Sequence, residues 1–174
     1  MNEKKKNPGV VLALKTQSPE ETFELGLEVG RLVEPSTVIG LNGTLGAGKT
    51  KLTQGIVGAI LDSPEAVVVS PTYTLCIPYS GRVELLHLDA YRIAEDEEVF
   101  ELGLDEAVDD GAVLIVEWVA KIADLLPKLD VVFEFQTAPE PSSLSERQVA
   151  IHALTQQGQG LVSQLAEKLG ESLV

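Results

Sequence analysis

The chain has 174 residues, 44% hydrophobic and 23% charged, enough to bury the core of one ordinary globular domain. Twenty-seven acidic residues against 13 basic ones give a net charge of −14, which opposes a phosphate backbone and argues against direct, independent nucleic-acid binding; a basic protein partner fits better. Cys76 is the single cysteine, expected as a buried structural thiol, so an intrachain disulfide is excluded, and no apolar run reaches the ~18 residues of a membrane span. The N-terminal lysines are followed by an apolar run too short for a signal peptide, so the expected compartment is the cytoplasm.

In chain order, Val10–Lys15 reads as a short strand. Ser18-Pro19-Glu20-Glu21 starts a helix: a serine N-cap, proline at the first helical position and glutamate three residues after the cap. The helix runs to about Val33 with Leu25, Val29, Leu32 and Val33 on one face, and Pro35 ends it. Thr37–Asn42 is the apolar run of a buried strand, and a helix follows over Gly48–Leu61. Further strands are expected at Val67–Ser70, Tyr73–Pro78, Val83–Leu88, Ala112–Glu117, Leu129–Phe135 and Arg147–Leu154, with a turn at Gly81 that suggests an antiparallel hairpin. Short helices are expected near Asp96–Leu102 and Val119–Leu125, and a last one over Leu161–Leu169; Thr137–Ser145, rich in serine and proline, reads as a mobile loop. The whole predicts an α/β domain over residues 1–174, with a sheet part parallel and part antiparallel.

The segment Gly43-Thr44-Leu45-Gly46-Ala47-Gly48-Lys49-Thr50 matches G-x-x-x-x-G-K-[ST] in full. Its glycines let successive backbone N–H groups turn towards one anion, and the helix that starts at Gly48 aims its positive end at the same point. Lys49 is expected to reach the β- and γ-phosphates, and Thr50 to offer its hydroxyl to Mg²⁺. A buried strand before the motif and an amphipathic helix after it are the context that such a site requires. The expected ligands are ATP or ADP with Mg²⁺.

Phosphate sites of this kind use an acid at the end of a neighbouring buried strand to hold the metal or orient water. Leu85-Leu86-His87-Leu88 leads into Asp89, and Val113-Leu114-Ile115-Val116 leads into Glu117. Each is also readable as a solvated charge at a strand end. Thr72, in Ser70-Pro71-Thr72, is a candidate γ-phosphate sensor or an ordinary turn residue. Arg92 is close enough in sequence to Asp89 to approach phosphate or pair with an acid, whereas His87 and His152 read as packed inside strands rather than catalytic. Trp118 suits either the core or the nucleotide site. Glu95–Asp110 holds nine acids and no base, a solvated surface or a docking face for a basic partner.

Taken in order, Leu45-Gly46-Ala47-Gly48-Lys49-Thr50, Ser70-Pro71-Thr72-Tyr73, His87-Leu88-Asp89-Ala90-Tyr91-Arg92, Leu102-Gly103-Leu104 and Glu117-Trp118 resemble the TsaE (YjeE) family over roughly Ser18 to Pro127. The resemblance implies a P-loop NTPase-like three-layer fold and a bacterial ATPase required for threonylcarbamoyladenosine modification of tRNA. It implies a TsaD–TsaB-type protein complex as partner, with tRNA reached only indirectly. It assigns Lys49 and Thr50 to phosphate and Mg²⁺, Glu117 to the metal, Asp89 to catalysis, Thr72 to a switch region and Trp118 to the edge of the nucleotide site. Thr44, Ala90 and Val119 depart from the family pattern, where an acid, a larger apolar residue and a proline are frequent. None of these removes a phosphate or metal ligand.

Other classes fit less well. A small-molecule kinase would recruit several arginines, and this chain has four that are scattered in sequence: Arg31, Arg82, Arg92 and Arg147. A GTPase would carry N-K-x-D, which is absent. A non-hydrolysing nucleotide-dependent regulator is separated from an ATPase by release of ADP.

Overall fold

The computed structural model describes residues 11–69, 71, 74–137 and 146–171. Thr72, most of the expected loop over Thr137–Ser145, and the N-terminal lysines lie outside the described residues.

The chain begins with β1 (Val11–Thr16) and α1 (Pro19–Leu32). Ser18 caps α1 by accepting the Glu21 N–H at 3.1 Å, while the Glu21 carboxylate accepts the Gln17 N–H at 2.7 Å, so two otherwise orphaned donors are satisfied at the predicted start. Next come β2 (Val38–Asn42) and α2 (Lys49–Ile60), then the hairpin β3 (Cys76–Ser80) and β4 (Glu84–Asp89). Two short helices, α3 (Asp96–Glu101) and α4 (Leu104–Asp109), lead into β5 (Val113–Glu117). The chain closes with β6 (Val131–Thr137), β7 (Arg147–Ala153) and α5 (Gln156–Leu169).

The seven strands form one sheet in the order β1-β7-β6-β2-β5-β4-β3. Its centre, β6-β2-β5-β4, is parallel, and both edges are antiparallel. The mixed sheet is thus as expected, and so is the hairpin across Gly81. Side-chain alternation sends β5 into two cores: Val113 and Ile115 pack with α1, α2 and α5, whereas Leu114 and Val116 pack beneath α3 and α4. Burial on both faces is why these central strands are almost continuously apolar. No helix among the described residues is long and apolar enough to cross a membrane.

Four sequence expectations need correction. Val67–Val69 is not a strand: Val67 and Val69 face solvent, and the Val68 carbonyl takes the Gln54 side-chain amide of α2 at 3.1 Å instead of a ladder bond. Val119–Leu125 forms two short 3₁₀ turns, Val119–Lys121 and Ala123–Leu125. The last helix begins at Gln156 rather than Leu161, because Thr155 accepts the Gly158 N–H at 3.1 Å and starts it a turn earlier. Helix α4 was not expected; Gly103 in a left-handed conformation (φ 63°) separates it from α3.

Candidate functional site

The carboxyl ends of β2, β4 and β5 lie at one edge of the parallel centre, where open α/β sheets place their ligand crevices. Between β2 and α2, residues 43–48 form a loop that requires glycine at more than one point. Gly43 has φ 147° and Gly48 φ 113°, and a Cβ on Gly43 would lie 2.8 Å from Phe135 Cβ. Gly48 passes directly into α2, so the helix N-terminus opens onto the loop.

A cavity of about 440 Å³ opens here, lined by the loop from Leu45 to Thr50 and by Asp89, Tyr91, Arg92, Glu117 and Trp118. Slightly larger concavities elsewhere on the surface lie away from this loop and include neither Asp89 nor Glu117. The fold therefore brings Gly46, Ala47, Gly48, Lys49, Thr50, Asp89, Glu117 and Trp118 to one place. Gly43 and Thr44 sit at the loop entrance, where their carbonyls receive the Lys49 ammonium at 2.8 and 2.9 Å.

Lys49 is almost wholly buried, and its Nζ also lies 3.9 Å from the centroid of the Trp118 ring. Burial lowers its pKa, opposed by the negative charges of Glu117 and Asp89. Trp118 takes a left-handed conformation (φ 60°) that costs a non-glycine residue of the order of 1 kcal/mol. Its turn is held by the Ala120 N–H, which donates to Asn42 Oδ1 at 3.1 Å, and its ring meets Tyr91 at 5.1 Å between centroids.

Asp89 and Glu117 are register partners on adjacent parallel strands, and both are buried. Asp89 Oδ1 accepts the Tyr91 N–H at 3.0 Å, which fixes the turn after β4. Glu117 uses both oxygens: Oε2 accepts the Thr50 hydroxyl at 3.0 Å, and Oε1 meets His87 Nε2 at 2.9 Å. His87 is fully buried, as a packed strand residue should be, but it packs onto the site rather than away from it. The signal was available in the sequence, because His87 and Asp89 are two apart in a strand and so share a face. His152, half-buried on β7, does not line the cavity.

The arginines scattered in sequence are partly gathered in space. Arg92 lines the cavity, and Arg147 donates from Nε to the Ala47 carbonyl and from Nη2 to the Gly46 carbonyl, both at 3.2 Å. Arg82 instead caps α1 through the Gly30 and Val33 carbonyls, and Arg31 pairs with Glu28 within α1. Sequence reading missed Arg147 because it lies 100 residues beyond the loop that it touches.

Chemically, the site offers an anion cradle, a buried ammonium and hard oxygen donors on Thr50, Glu117 and Asp89. Among the described residues no cluster of three His, Cys, Asp or Glu side chains could hold a metal alone. A hydroxyl and one or two carboxylates beside a phosphate cradle nevertheless fit Mg²⁺, which completes its shell with phosphate oxygens and water.

Residues 16–149 match the family described as Threonylcarbamoyl adenosine biosynthesis protein TsaE. The chain is 36% identical over 121 residues to the tRNA threonylcarbamoyladenosine biosynthesis protein TsaE of Treponema pallidum (strain Nichols), covering 70% of this chain and 88% of that protein. It is 36% identical over 118 residues to the protein of that name from Bacillus subtilis (strain 168), covering 67% and 72%. The crystal structure of Bacillus subtilis YdiB superposes with a TM-score of 0.75 at 28% identity, covering 91% of this chain and 97% of that one. With most of its length matched by the family profile and by these relatives, the chain belongs to the TsaE family.

Proposed function

We propose that this chain is a Mg²⁺-dependent ATPase that supports threonylcarbamoyladenosine modification of tRNA by acting on a TsaD–TsaB-type protein complex. The observation that carries the reading is the convergence of Lys49, Thr50, Asp89 and Glu117 on one glycine-lined cavity. Mg²⁺, held by Thr50 and Glu117, would neutralise charge on the phosphates. Lys49 leaves the Gly43 and Thr44 carbonyls to pair with the β- and γ-phosphates. Asp89 orients the attacking water. The water oxygen bonds to the γ-phosphorus as the bond to the bridging oxygen breaks, the water's proton passes to an oxygen of the departing phosphate, and ADP and phosphate leave.

The link to tRNA rests on family membership, and the net charge of −14 favours an indirect link. The acids of Glu95–Asp110 lie on α3 and α4, next in the chain to the turn that bears Asp89 and Arg92, a placement suited to coupling a basic partner to the ATP site. Glu97 and Glu101 are exposed, whereas the Glu98 carboxylate accepts the Ala94 and Glu95 N–H groups and caps α3. Charge reversal is therefore best made at Glu97 and Glu101, leaving Glu98 intact.

The test is steady-state ATP hydrolysis by the chain alone, with a TsaD–TsaB-type pair, and with tRNA alone. Slow basal turnover, a large rise with the protein pair and loss of that rise in Glu97→Lys/Glu101→Lys, with ATP affinity unchanged, are expected. Full activity alone, or stimulation by tRNA without protein, would overturn the reading.

A further inference from the structure

We infer that Arg147 is a positioning residue for nucleotide binding: from the start of β7 it braces the back of the phosphate loop and sets the direction of the loop's donors. The inference rests on the proposal that this loop holds nucleotide phosphate.

The guanidinium spans two consecutive peptide groups. Nε donates to Ala47 O and Nη2 to Gly46 O, both at 3.2 Å, while Nη1 donates to the Glu146 carbonyl at 2.9 Å and anchors the side chain to its own strand. Arg147 does not line the cavity, so it meets the loop from outside. The strand itself is fixed on both sides, since Arg147 is in register with Thr16 of β1 and Thr137 of β6. A rigid strand thus grips a loop whose tip is open, where Gly46 has nothing within 4 Å of where a Cβ would sit.

Peptide planarity turns this grip into a directional effect. In a trans peptide the C=O and the following N–H point in opposite directions. Pinning the Ala47 carbonyl outward therefore directs the Gly48 N–H to the other side of the loop. The Ala47 N–H is already committed to the Thr44 carbonyl at 3.1 Å, which leaves the Gly48 N–H as the donor that Arg147 controls. Gly48 sits at φ 113°, a conformation that a freed loop has no steric reason to keep. The positive charge also polarises the peptide that it binds, strengthening the N–H as a donor to an anion. A lysine cannot substitute fully, because a single ammonium lacks the planar fork that bridges two carbonyls.

The experiment compares the full chain with Arg147→Met and Arg147→Lys. ADP binding is measured by calorimetry, ATP turnover by steady-state kinetics, stability by thermal unfolding without ligand, and loop order by amide exchange at Ala47. In Arg147→Met the ADP Kd should rise about tenfold, or 1.4 kcal/mol. KM for ATP should rise in parallel while kcat at saturation stays within about threefold, as for lost ground-state positioning. Exchange of the Ala47 amide, which is bonded to the Thr44 carbonyl, should accelerate, the unliganded Tm should stay within about 2 °C of wild type, and Arg147→Lys should fall between the two. Unchanged ADP affinity in both variants, or weakened affinity that tracks a large fall in unliganded Tm, would overturn the positioning role. Failure of the wild type itself to bind ADP would overturn the nucleotide reading and this inference with it.

Discussion

Thr50 and Glu117, 67 residues apart in the chain, form a hydrogen-bonded pair, with the threonine hydroxyl donating to Glu117 Oε2 at 3.0 Å. The first turn of α2 and the last residue of β5 meet because β5 lies beside β2, the strand that feeds the phosphate loop. His87 holds the other carboxylate oxygen at 2.9 Å, so the glutamate cannot rotate without breaking both contacts.

Glu117→Gln should remove the Mg²⁺-dependent part of ATP binding and leave the metal-free part, because the amide keeps the size but loses the charge. His87→Phe should cost about 1–3 kcal/mol by leaving a buried carboxylate oxygen unpaired, and His87→Gln should recover part of that. Calorimetric ATP titrations with Mg²⁺ and with EDTA, alongside denaturant unfolding, read both effects. Equal Mg²⁺ dependence in wild type and Glu117→Gln would remove the glutamate from the metal site.

Trp118 should report nucleotide. Its ring has the Lys49 ammonium 3.9 Å from its centroid, and phosphate would draw that ammonium away. Emission should change on adding Mg²⁺-ADP or Mg²⁺-ATP. Lys49→Ala should alter the emission of the unliganded chain and weaken ATP binding by about 1.5–3 kcal/mol, the range for a hydrogen bond to a charged group. Unchanged emission at saturating nucleotide would place the ligand away from the tryptophan.

Gly55→Ala should destabilise the fold by at least about 2 kcal/mol through overpacking. A Cβ there would lie 2.1 Å from the Phe23 carbonyl oxygen, and one on Gly26 2.2 Å from that of Leu52, so α1 and α2 cross backbone to backbone. Because the phosphate loop hangs on α2, ADP affinity should fall as well. A denaturant midpoint equal to wild type would refute this close approach.

Cys76 should resist alkylation at neutral pH, because burial pushes its thiol up to about 11. Between the ordinary thiol value of 9.0 and about 11 the folded chain retains a proton that the unfolded chain has lost, so this thiol's contribution to stability declines as pH rises through that window. Iodoacetamide labelling of the native chain across pH 7–11, compared with the unfolded chain, measures the shift. Equal labelling of native and unfolded chains at pH 9 would contradict it.

Much of the site was legible because it depends on local order. The phosphate loop needs glycines at positive φ, a lysine and a threonine within eight consecutive residues, and strand–loop–helix context, all of which is local. Asp89 and Glu117 were legible because each ends an apolar run. The Ser18 cap places α1 for the same reason, whereas the first residues of α5, Gln156-Gln157-Gly158-Gln159-Gly160, carry no apolar residue to mark a helix start before Leu161. The Val67–Val69 segment failed as a strand because β propensity cannot supply a neighbouring strand to pair with. Only the tertiary structure decided that His87 faces Glu117, that Arg147 reaches the phosphate loop from 100 residues away and that Lys49 rests against Trp118. These contacts depend on strand order and register, which arise from burying both faces of one sheet at once and are not written in any local stretch of the chain.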